Sequence, residues 1–136
     1  MQYDLIVIGA GSAGLTAATT ANRLGAKVLL IEQNKIGGEC LHSGCIPSKT
    51  LIHYSKMVHD SEILASQKII NNTSNPDFGK IMELVRKKID QIYKNENPDV
   101  FRNMGIDVLF GSPEFISKNE VKLNGEIIFA KNHILC

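Results

Sequence analysis

Little in the sequence points to a membrane, a secretory route or a nucleic acid. No stretch approaches the roughly 20 consecutive apolar residues of a transmembrane helix. The N-terminal MQYDLIVIG lacks the basic region and the small-residue cleavage site of a secretory signal. The net charge is only +1, so electrostatics give no reason to expect nucleic acid or an anionic membrane as a partner.

Cysteine is also scarce, with three residues in a chain of 136. A small, odd number of cysteines fits a reducing compartment better than a secreted protein held together by disulfides, so we expect a cytoplasmic protein. The hydrophobic content of 43% is ordinary for a globular protein, and the length predicts one domain over residues 1–136.

The first 32 residues have the pattern of a βαβ unit. YDLIVIG is a short apolar run rich in β-branched residues, which is typical of a buried parallel strand. The alanine-rich segment SAGLTAATTANRLG, which ends in Gly25, predicts a helix with a glycine stop. AKVLLIE predicts a second buried strand, and the crossover between the two strands is expected to be right-handed.

Two longer helices are predicted in the middle of the chain. Apolar residues at helical spacing predict the first over residues 48–66. After a polar break at residues 67–75, Asn75–Pro76 predicts the N-cap and first position of the next helix. The apolar stripe of this second helix runs up to Asn97–Pro98, and we expect it to pack in the core. Its members are Phe78, Ile81, Met82, Val85, Ile89, Ile92 and Tyr93.

From Gly105 onward the apolar period changes to two, which predicts short β-strands. The segments IDVLFG, EFIS, EVKL and EIIFA have this pattern, and Asn124–Gly125 between the last two is a strong hairpin signal. The closing HILC predicts the beginning of a further buried strand.

A glycine-rich turn, Gly9–Gly14, joins the first strand to the first helix in the pattern G-x-G-x-x-G. Its position between a predicted strand and a predicted helix is typical of a dinucleotide-binding loop. Gly9 permits the tight turn, Gly11 lets the backbone approach a pyrophosphate, and Gly14 allows close packing of helix on strand. The helix N-terminus adds the positive end of a dipole.

Glu32 lies 18 residues after Gly14, at the end of the second predicted strand. A carboxylate there accepts hydrogen bonds from ribose hydroxyls and repels a 2′-phosphate, so NADP is not expected at this site. These residues leave both NAD and FAD open as ligands, and a tight turn without any nucleotide is the simpler alternative.

Cys40 and Cys45 stand five positions apart in GGECLHSGCIPSK, residues 37–49, where three roles compete. A structural disulfide closing so small a loop would contribute only about 2 kcal/mol of loop entropy. A zinc site needs about four ligands at a different spacing, so no metal site is predicted. A redox-active dithiol at the start of a helix, near the Lys49 cation, would have a lowered thiolate pKa. We favour the redox role because a two-electron thiol pair suits a neighbouring dinucleotide.

Three features of the sequence together resemble the class I pyridine nucleotide–disulfide oxidoreductases. They are GAGSAG, the acidic end of the second strand, and GGECLHSGCIPSKTLI. These FAD enzymes include dihydrolipoamide dehydrogenase, mercuric reductase and glutathione reductase, and Pro-Ser-Lys after the second cysteine is closer to the first two branches. The resemblance covers the whole chain. It implies an α/β, Rossmann-like FAD-binding domain with a parallel sheet, a two-helix insertion carrying the redox cysteines, and an antiparallel β-meander.

The resemblance also implies a role for each motif. Cys40 would attack the substrate, Cys45 would face the flavin, and Lys49 would stabilise negative charge on the reduced ring; these three are the expected catalytic residues. The expected cofactor-binding residues are Gly9, Gly11, Ser12, Ala13 and Gly14 at the pyrophosphate, Glu32 at the ribose, Gly37, Gly38, Glu39, Cys40 and Lys49 around the flavin, and Pro113 of GSPEF near the adenine.

Two features depart from the family pattern. Glu39 replaces the usual threonine and His42-Ser43 the usual Asn-Val, and a carboxylate beside the dithiol is expected to weaken thiolate formation. The chain also contains no second G-x-G-x-x-G, so we interpret it as the truncated, N-terminal part of a homodimeric enzyme. That enzyme would pass electrons between NAD(P)H, FAD, the dithiol and a disulfide or metal-ion substrate. The chain alone is expected to be inactive, and the alternative function is a nucleotide-binding module without redox turnover.

Overall fold

The computed structural model describes residues 2–71 and 75–136, so residues 72–74 of the predicted polar break lie outside the described residues. The elements in chain order are β1 (Gln2–Ile8), α1 (Ser12–Arg23), β2 (Val28–Glu32), α2 (Gly38–His42), α3 (Cys45–Ser66), α4 (Phe78–Tyr93), α5 (Pro98–Asn103), β3 (Asp107–Phe110), β4 (Glu114–Phe115), β5 (Glu120–Leu123) and β6 (Glu126–Leu135). None of the helices in the described ranges is both long enough and apolar enough to cross a membrane.

The described strands form one sheet in the order β3-β2-β1-β6-β5-β4. β1 lies between β2 and β6 and is parallel to both, and β3 is parallel to β2. β4 and β5 extend the sheet by antiparallel pairing. The predicted α/β fold with a mainly parallel sheet and an antiparallel meander is therefore confirmed. β3, the first strand after Gly105, belongs to the parallel part of the sheet.

β6 changes its partner along its length. A hairpin at Asn124–Gly125, where φ is 52° and 89°, pairs its first residues with β5, as predicted. From Phe129 onward β6 runs parallel to β1. The prediction that HILC begins a separate buried strand was wrong, because no glycine or proline interrupts residues 126–135 and the strand simply continues. Leu135 near its end is 68% exposed.

Both faces of the central strands are covered, which accounts for their continuous apolar sequences. On one face Val7 and Leu30 are fully buried together with Ala18 of α1. On the other face Ile6 and Leu29 are fully buried against residues of β5 and β6. The loops at the carboxyl ends of β1 and β2 therefore emerge from a closely packed base, and these loops carry the candidate site.

The start of α4 differs from the prediction. Asp77 is its N-cap, and the Asp77 carboxylate accepts a hydrogen bond of 3.0 Å from the Lys80 N–H. The predicted cap, Asn75, lies two residues too early, since aspartate is as good a cap as asparagine and stands directly before the helix. Asn97 caps the short helix α5, which the sequence analysis missed because six residues are too few to show a helical period.

The apolar stripe of α4 is only partly in the core. Val85 is buried, whereas Phe78 is 67% exposed and the remaining members are half-buried. The expectation of core packing was therefore too strong. The reason is that α4 packs mainly along α3, a helix without a buried residue of its own, and not on the sheet. The two helices form the predicted insertion.

Candidate functional site

The glycine-rich loop lies at the carboxyl end of β1. Gly9 has φ of 102°, a conformation that favours glycine, and its N–H donates to the Ile31 carbonyl at 2.8 Å. A side chain on Gly14 would overlap the Gly9 carbonyl oxygen, so α1 can pack this closely on the loop only with glycine there. A Cβ on Gly11 would meet no atom within 4 Å, which leaves space above the loop.

The N-terminus of α1 opens onto the same space. Its N-cap is Gly11, which forms no side-chain capping bond, and the first turn contains no acidic residue. The positive end of the helix dipole is therefore not neutralised from within α1. Free space, a glycine cap and an uncompensated helix N-terminus fit the pyrophosphate of a dinucleotide.

Glu32 adjoins the loop at the end of β2. One carboxylate oxygen accepts from the Ala10 N–H at 2.7 Å, and the other accepts from the Asn34 N–H at 2.8 Å. The carboxylate therefore holds the glycine-rich loop in place, a role that the sequence analysis did not foresee. Each oxygen retains a further lone pair, so the predicted bonds to ribose hydroxyls are compatible with these contacts.

The Gly37–Gly38 segment lies against the glycine-rich loop. The Gly37 N–H donates to the Ala10 carbonyl at 2.8 Å, and a Cβ on Gly38 would lie 2.9 Å from the Gly11 Cα. Both glycines have positive φ, 97° and 54°. Gly38 and Glu39 also line, with Glu32, a cleft of about 550 Å³. The fold thus brings the two predicted glycine motifs and the acidic strand end together.

The two cysteines lie on either side of a break between helices. Cys40 is half-buried in α2, and Cys45 is exposed as the first residue of α3; both are free thiols. The break occurs at Ser43–Gly44, where the Gly44 N–H donates to the Glu39 carbonyl at 2.5 Å. The sequence analysis predicted this helix over residues 48–66, whereas α3 already begins at Cys45.

The surroundings of Cys40 lower the pKa of its thiol. The largest cause is a hydrogen bond from the Cys45 thiol, followed by one from the Ser12 hydroxyl, and the Lys49 ammonium acts in the same direction. Partial desolvation opposes these effects but does not outweigh them. A thiol with a lowered pKa provides more of the nucleophilic thiolate at neutral pH, so Cys40 is a candidate nucleophile.

The two remaining predicted residues are Lys49 in α3 and Pro113 in the loop between β3 and β4. Lys49 lines a cleft of about 570 Å³ between α3 and α4, together with Lys87 and Lys88. Pro113 lies in the loop from β3 to β4, which starts where the Gly111 N–H donates to the Glu32 carbonyl at 2.9 Å. Pro113 is therefore close along the chain to Gly111, which contacts the end of β2 at Glu32. In the described part of the chain, no group of three or more His, Cys, Asp or Glu residues could hold a metal ion.

The chain has the architecture of dinucleotide-dependent redox proteins. It combines a parallel sheet, a glycine-rich loop at the start of a helix, and a thiol pair beside that loop. The family described as pyridine nucleotide-disulphide oxidoreductase matches residues 3–136. This chain belongs to that family, and the resemblance found in the sequence is confirmed.

Individual relatives agree with this assignment. The chain is 29% identical to a mercuric reductase of Staphylococcus aureus, over 98% of this chain and 24% of that protein. It is 34% identical to a dihydrolipoyl dehydrogenase of Acholeplasma laidlawii, over 98% of this chain and 40% of that protein. Among solved structures, the Cu(II) complex of the HOCl-induced flavoprotein disulfide reductase RclA C43S mutant from Escherichia coli superposes with a TM-score of 0.78 at 26% identity, covering 98% of this chain and 28% of that one. The chain thus spans about a quarter of the length of the mercuric reductases it matches.

Proposed function

We propose that this chain is the FAD-binding part of a flavoprotein disulfide oxidoreductase, in which Cys40 and Cys45 alternate between a dithiol and a disulfide. The observation that carries the proposal is the position of the Cys40 thiol, which receives hydrogen bonds from Cys45 and from Ser12 at the N-terminus of α1. The two thiols are therefore adjacent to each other and to the first residue of α1, where the glycine-rich loop ends.

The nucleotide would be held by the elements at the carboxyl ends of β1 and β2. Gly9–Gly14 offers backbone N–H groups to the pyrophosphate, and Glu32 accepts from the ribose. The loop containing Pro113 would contact the adenine, and Gly37–Gly38 and Glu39 would line the flavin side of the site. FAD, when bound, supplies two-electron exchange with the dithiol.

The chain's own residues would carry out the thiol chemistry. The Cys40 thiolate would attack one sulfur of a substrate disulfide, break its S–S bond and release the other half as a thiol. Cys45 would then attack the Cys40 sulfur of the mixed disulfide, release the second half as a thiol and close the Cys40–Cys45 disulfide. Lys49 would stabilise negative charge that develops beside the dithiol, as its effect on the Cys40 pKa indicates.

Further properties are proposed for a longer, cytoplasmic protein of which this chain is the N-terminal part. They are the use of NAD(P)H, assembly as a homodimer, and a substrate that is a disulfide, a dihydrolipoyl group or a metal ion. They rest on the family and on relatives that are two to four times longer than the residues matched.

Thiol alkylation with peptide mass spectrometry tests the redox proposal. The purified chain is oxidised in air, alkylated with and without prior reduction, and mapped. A Cys40–Cys45 disulfide that forms readily and reopens with reductant is the expected result, with Cys136 as the internal control. Persistently free thiols at both positions would instead support the alternative, a nucleotide-binding module without redox turnover.

Calorimetric titration with FAD and ADP tests the nucleotide proposal. The pyrophosphate and adenosine contacts lie within this chain, whereas part of the flavin pocket is expected from segments outside it. FAD should therefore bind weakly, and ADP should compete almost as well. Tight FAD binding that ADP cannot displace would show that the flavin pocket is already complete.

A further inference from the structure

The cleft of about 570 Å³ between α3 and α4 is lined by one face of each helix. On both helices the lining residues recur at helical spacing, so they share a face. They are Ile46, Lys49, Thr50, His53 and Tyr54 of α3, and Leu84, Lys87, Lys88 and Gln91 of α4. The volume lies within the range of small-molecule pockets. Of these residues, only Lys49 has a role in the proposed function.

The lining of this cleft carries positive charge without compensation. The ammonium groups of Lys49, Lys87 and Lys88 line it, and no carboxylate is among its described lining. None of the three lysines takes part in the four ion pairs found among the described residues. Glu83, one turn before Lys87 on α4, pairs instead with Lys80 at 2.7 Å. Like charges that converge from two helices favour an anionic ligand.

The rest of the lining indicates the kind of anion. The Tyr54 hydroxyl, the Gln91 amide and the His53 ring can donate hydrogen bonds, and phosphate oxygens are acceptors. The His53 and Tyr54 rings meet edge to face with centroids 5.3 Å apart, and Ile46 and Leu84 add aliphatic surface. The ammonium groups therefore suit a phosphate, and the rings and aliphatic chains suit an organic substituent on it.

Lys49 connects this cleft to the cysteine pair. It follows Cys45 by four residues in α3, so the two side chains lie one turn apart on the same face. The Lys49 ammonium favours the thiolate of Cys40. A phosphate bound beside Lys49 would offset that ammonium and would disfavour a second negative charge at Cys40.

We propose that this cleft binds a small organic phosphate, and that the bound phosphate slows the reactions of Cys40 by opposing the charge of Lys49. The inference goes beyond the proposed function, because it adds a second ligand. Its site shares no lining residue with the glycine-rich loop, Glu32 or the Gly37–Gly38 segment. The proposal requires neither a bound flavin nor a Cys40–Cys45 disulfide, so its outcome is independent of the proposed function.

Binding is tested by NMR titration of the isotope-labelled full chain at low salt. The probes are phenyl phosphate, inorganic phosphate and phenol, which present the phosphate with a ring, the phosphate alone and the ring alone. Phenyl phosphate should bind tightest, inorganic phosphate several-fold more weakly and phenol not measurably, with the shifted amide signals in α3 and α4. Signals shifted only in Gly9–Gly14 would overturn the proposal, because the phosphate would then bind at the glycine-rich loop. Equal affinities for phenyl phosphate and inorganic phosphate would overturn the organic ligand.

The double variant Lys87→Gln/Lys88→Gln removes two of the three ammonium groups and keeps Lys49. Because each exposed ion pair contributes a factor of about three, phenyl phosphate should bind roughly tenfold more weakly. The matched control is Arg86→Gln/Lys94→Gln, which removes two charges from α4 and its C-cap outside the lining. Its affinity should change by less than about twofold. Equal losses in the two double variants would show a general attraction to a basic helix and would overturn the proposal.

The effect on Cys40 is measured as the pH dependence of its alkylation by iodoacetamide, resolved by residue with peptide mass spectrometry. Saturating phenyl phosphate should move the Cys40 midpoint to higher pH and lower the rate at neutral pH roughly two- to threefold. The same probe concentration should have little effect in Lys87→Gln/Lys88→Gln, and Cys136 is the internal control. An unmoved Cys40 midpoint at saturation would overturn the link to Lys49. A shift of equal size at Cys136 would show a general ionic effect and would overturn it as well.

Discussion

Replacing Gly14 by alanine should destabilise the chain, although alanine is the better helix former. In an unobstructed helix the change would stabilise by about 1 kcal/mol. Here a Cβ would overlap the Gly9 carbonyl oxygen and lie 2.9 Å from the Gly9 carbonyl carbon. Because this obstacle is backbone, α1 must move away from the loop, at a cost of about 3 kcal/mol. The net loss in the free energy of unfolding is about 2 kcal/mol.

For a chain of 136 residues, this loss corresponds to a fall in Tm of about 7 °C, measurable by circular dichroism. Gly11→Ala is the matched control. Gly11 has φ of −77° and ψ of −175°, which any residue adopts, and its Cβ would meet nothing within 4 Å. Its Tm should change by less than about 3 °C, whereas ADP affinity should fall because the methyl group enters the pyrophosphate space. An unchanged or raised Tm in Gly14→Ala would refute the packing argument.

Three further predictions concern the site and a helix boundary. Glu32→Ala should lower ADP affinity in calorimetry roughly tenfold or more, because one or two ribose hydrogen bonds of about 1 kcal/mol each are lost; an unchanged affinity would exclude the ribose contact. Lys49→Met should raise the Cys40 pKa, since the ammonium favours the thiolate. The rate at which iodoacetamide labels Cys40 increases as rising pH forms the thiolate. In Lys49→Met the midpoint of this pH dependence should move to higher pH. An unmoved midpoint would contradict the electrostatic role of Lys49. Asp77→Ala should remove a helix cap worth about 1 kcal/mol and lower Tm, whereas Asn75→Ala should leave Tm unchanged. A lower Tm in Asn75→Ala but not in Asp77→Ala would show that Asn75 is the cap.

The sequence was sufficient to predict the features that depend on residues close to one another in the chain. The βαβ unit, the glycine-rich loop and the Asn124–Gly125 hairpin follow from strand and helix periodicity and from backbone conformations that few residues adopt. The predicted helix cap Asn75 was wrong, because Asp77, an equally good capping residue, stands two positions later and only the path of the chain selects it.

The tertiary structure decided what depends on contacts distant in sequence. Residues 107–110 join the parallel part of the sheet and β6 crosses from β5 to β1, since strand partners are chosen by packing of the whole sheet. Glu32 bonds to the Ala10 N–H across 22 positions, which no spacing rule indicates.

The cysteine pair also combines a feature that the sequence predicts with one that depends on the fold. The sequence identified Cys40 and Cys45 as a pair, because their spacing and neighbours form a specific motif. The lowered pKa of Cys40 depends first on the hydrogen bond from Cys45 across the break between α2 and α3, and then on the Ser12 hydroxyl from the separate helix α1. Hydrogen bonds and charges act over a few ångströms in space, so their effects appear only once the chain has folded.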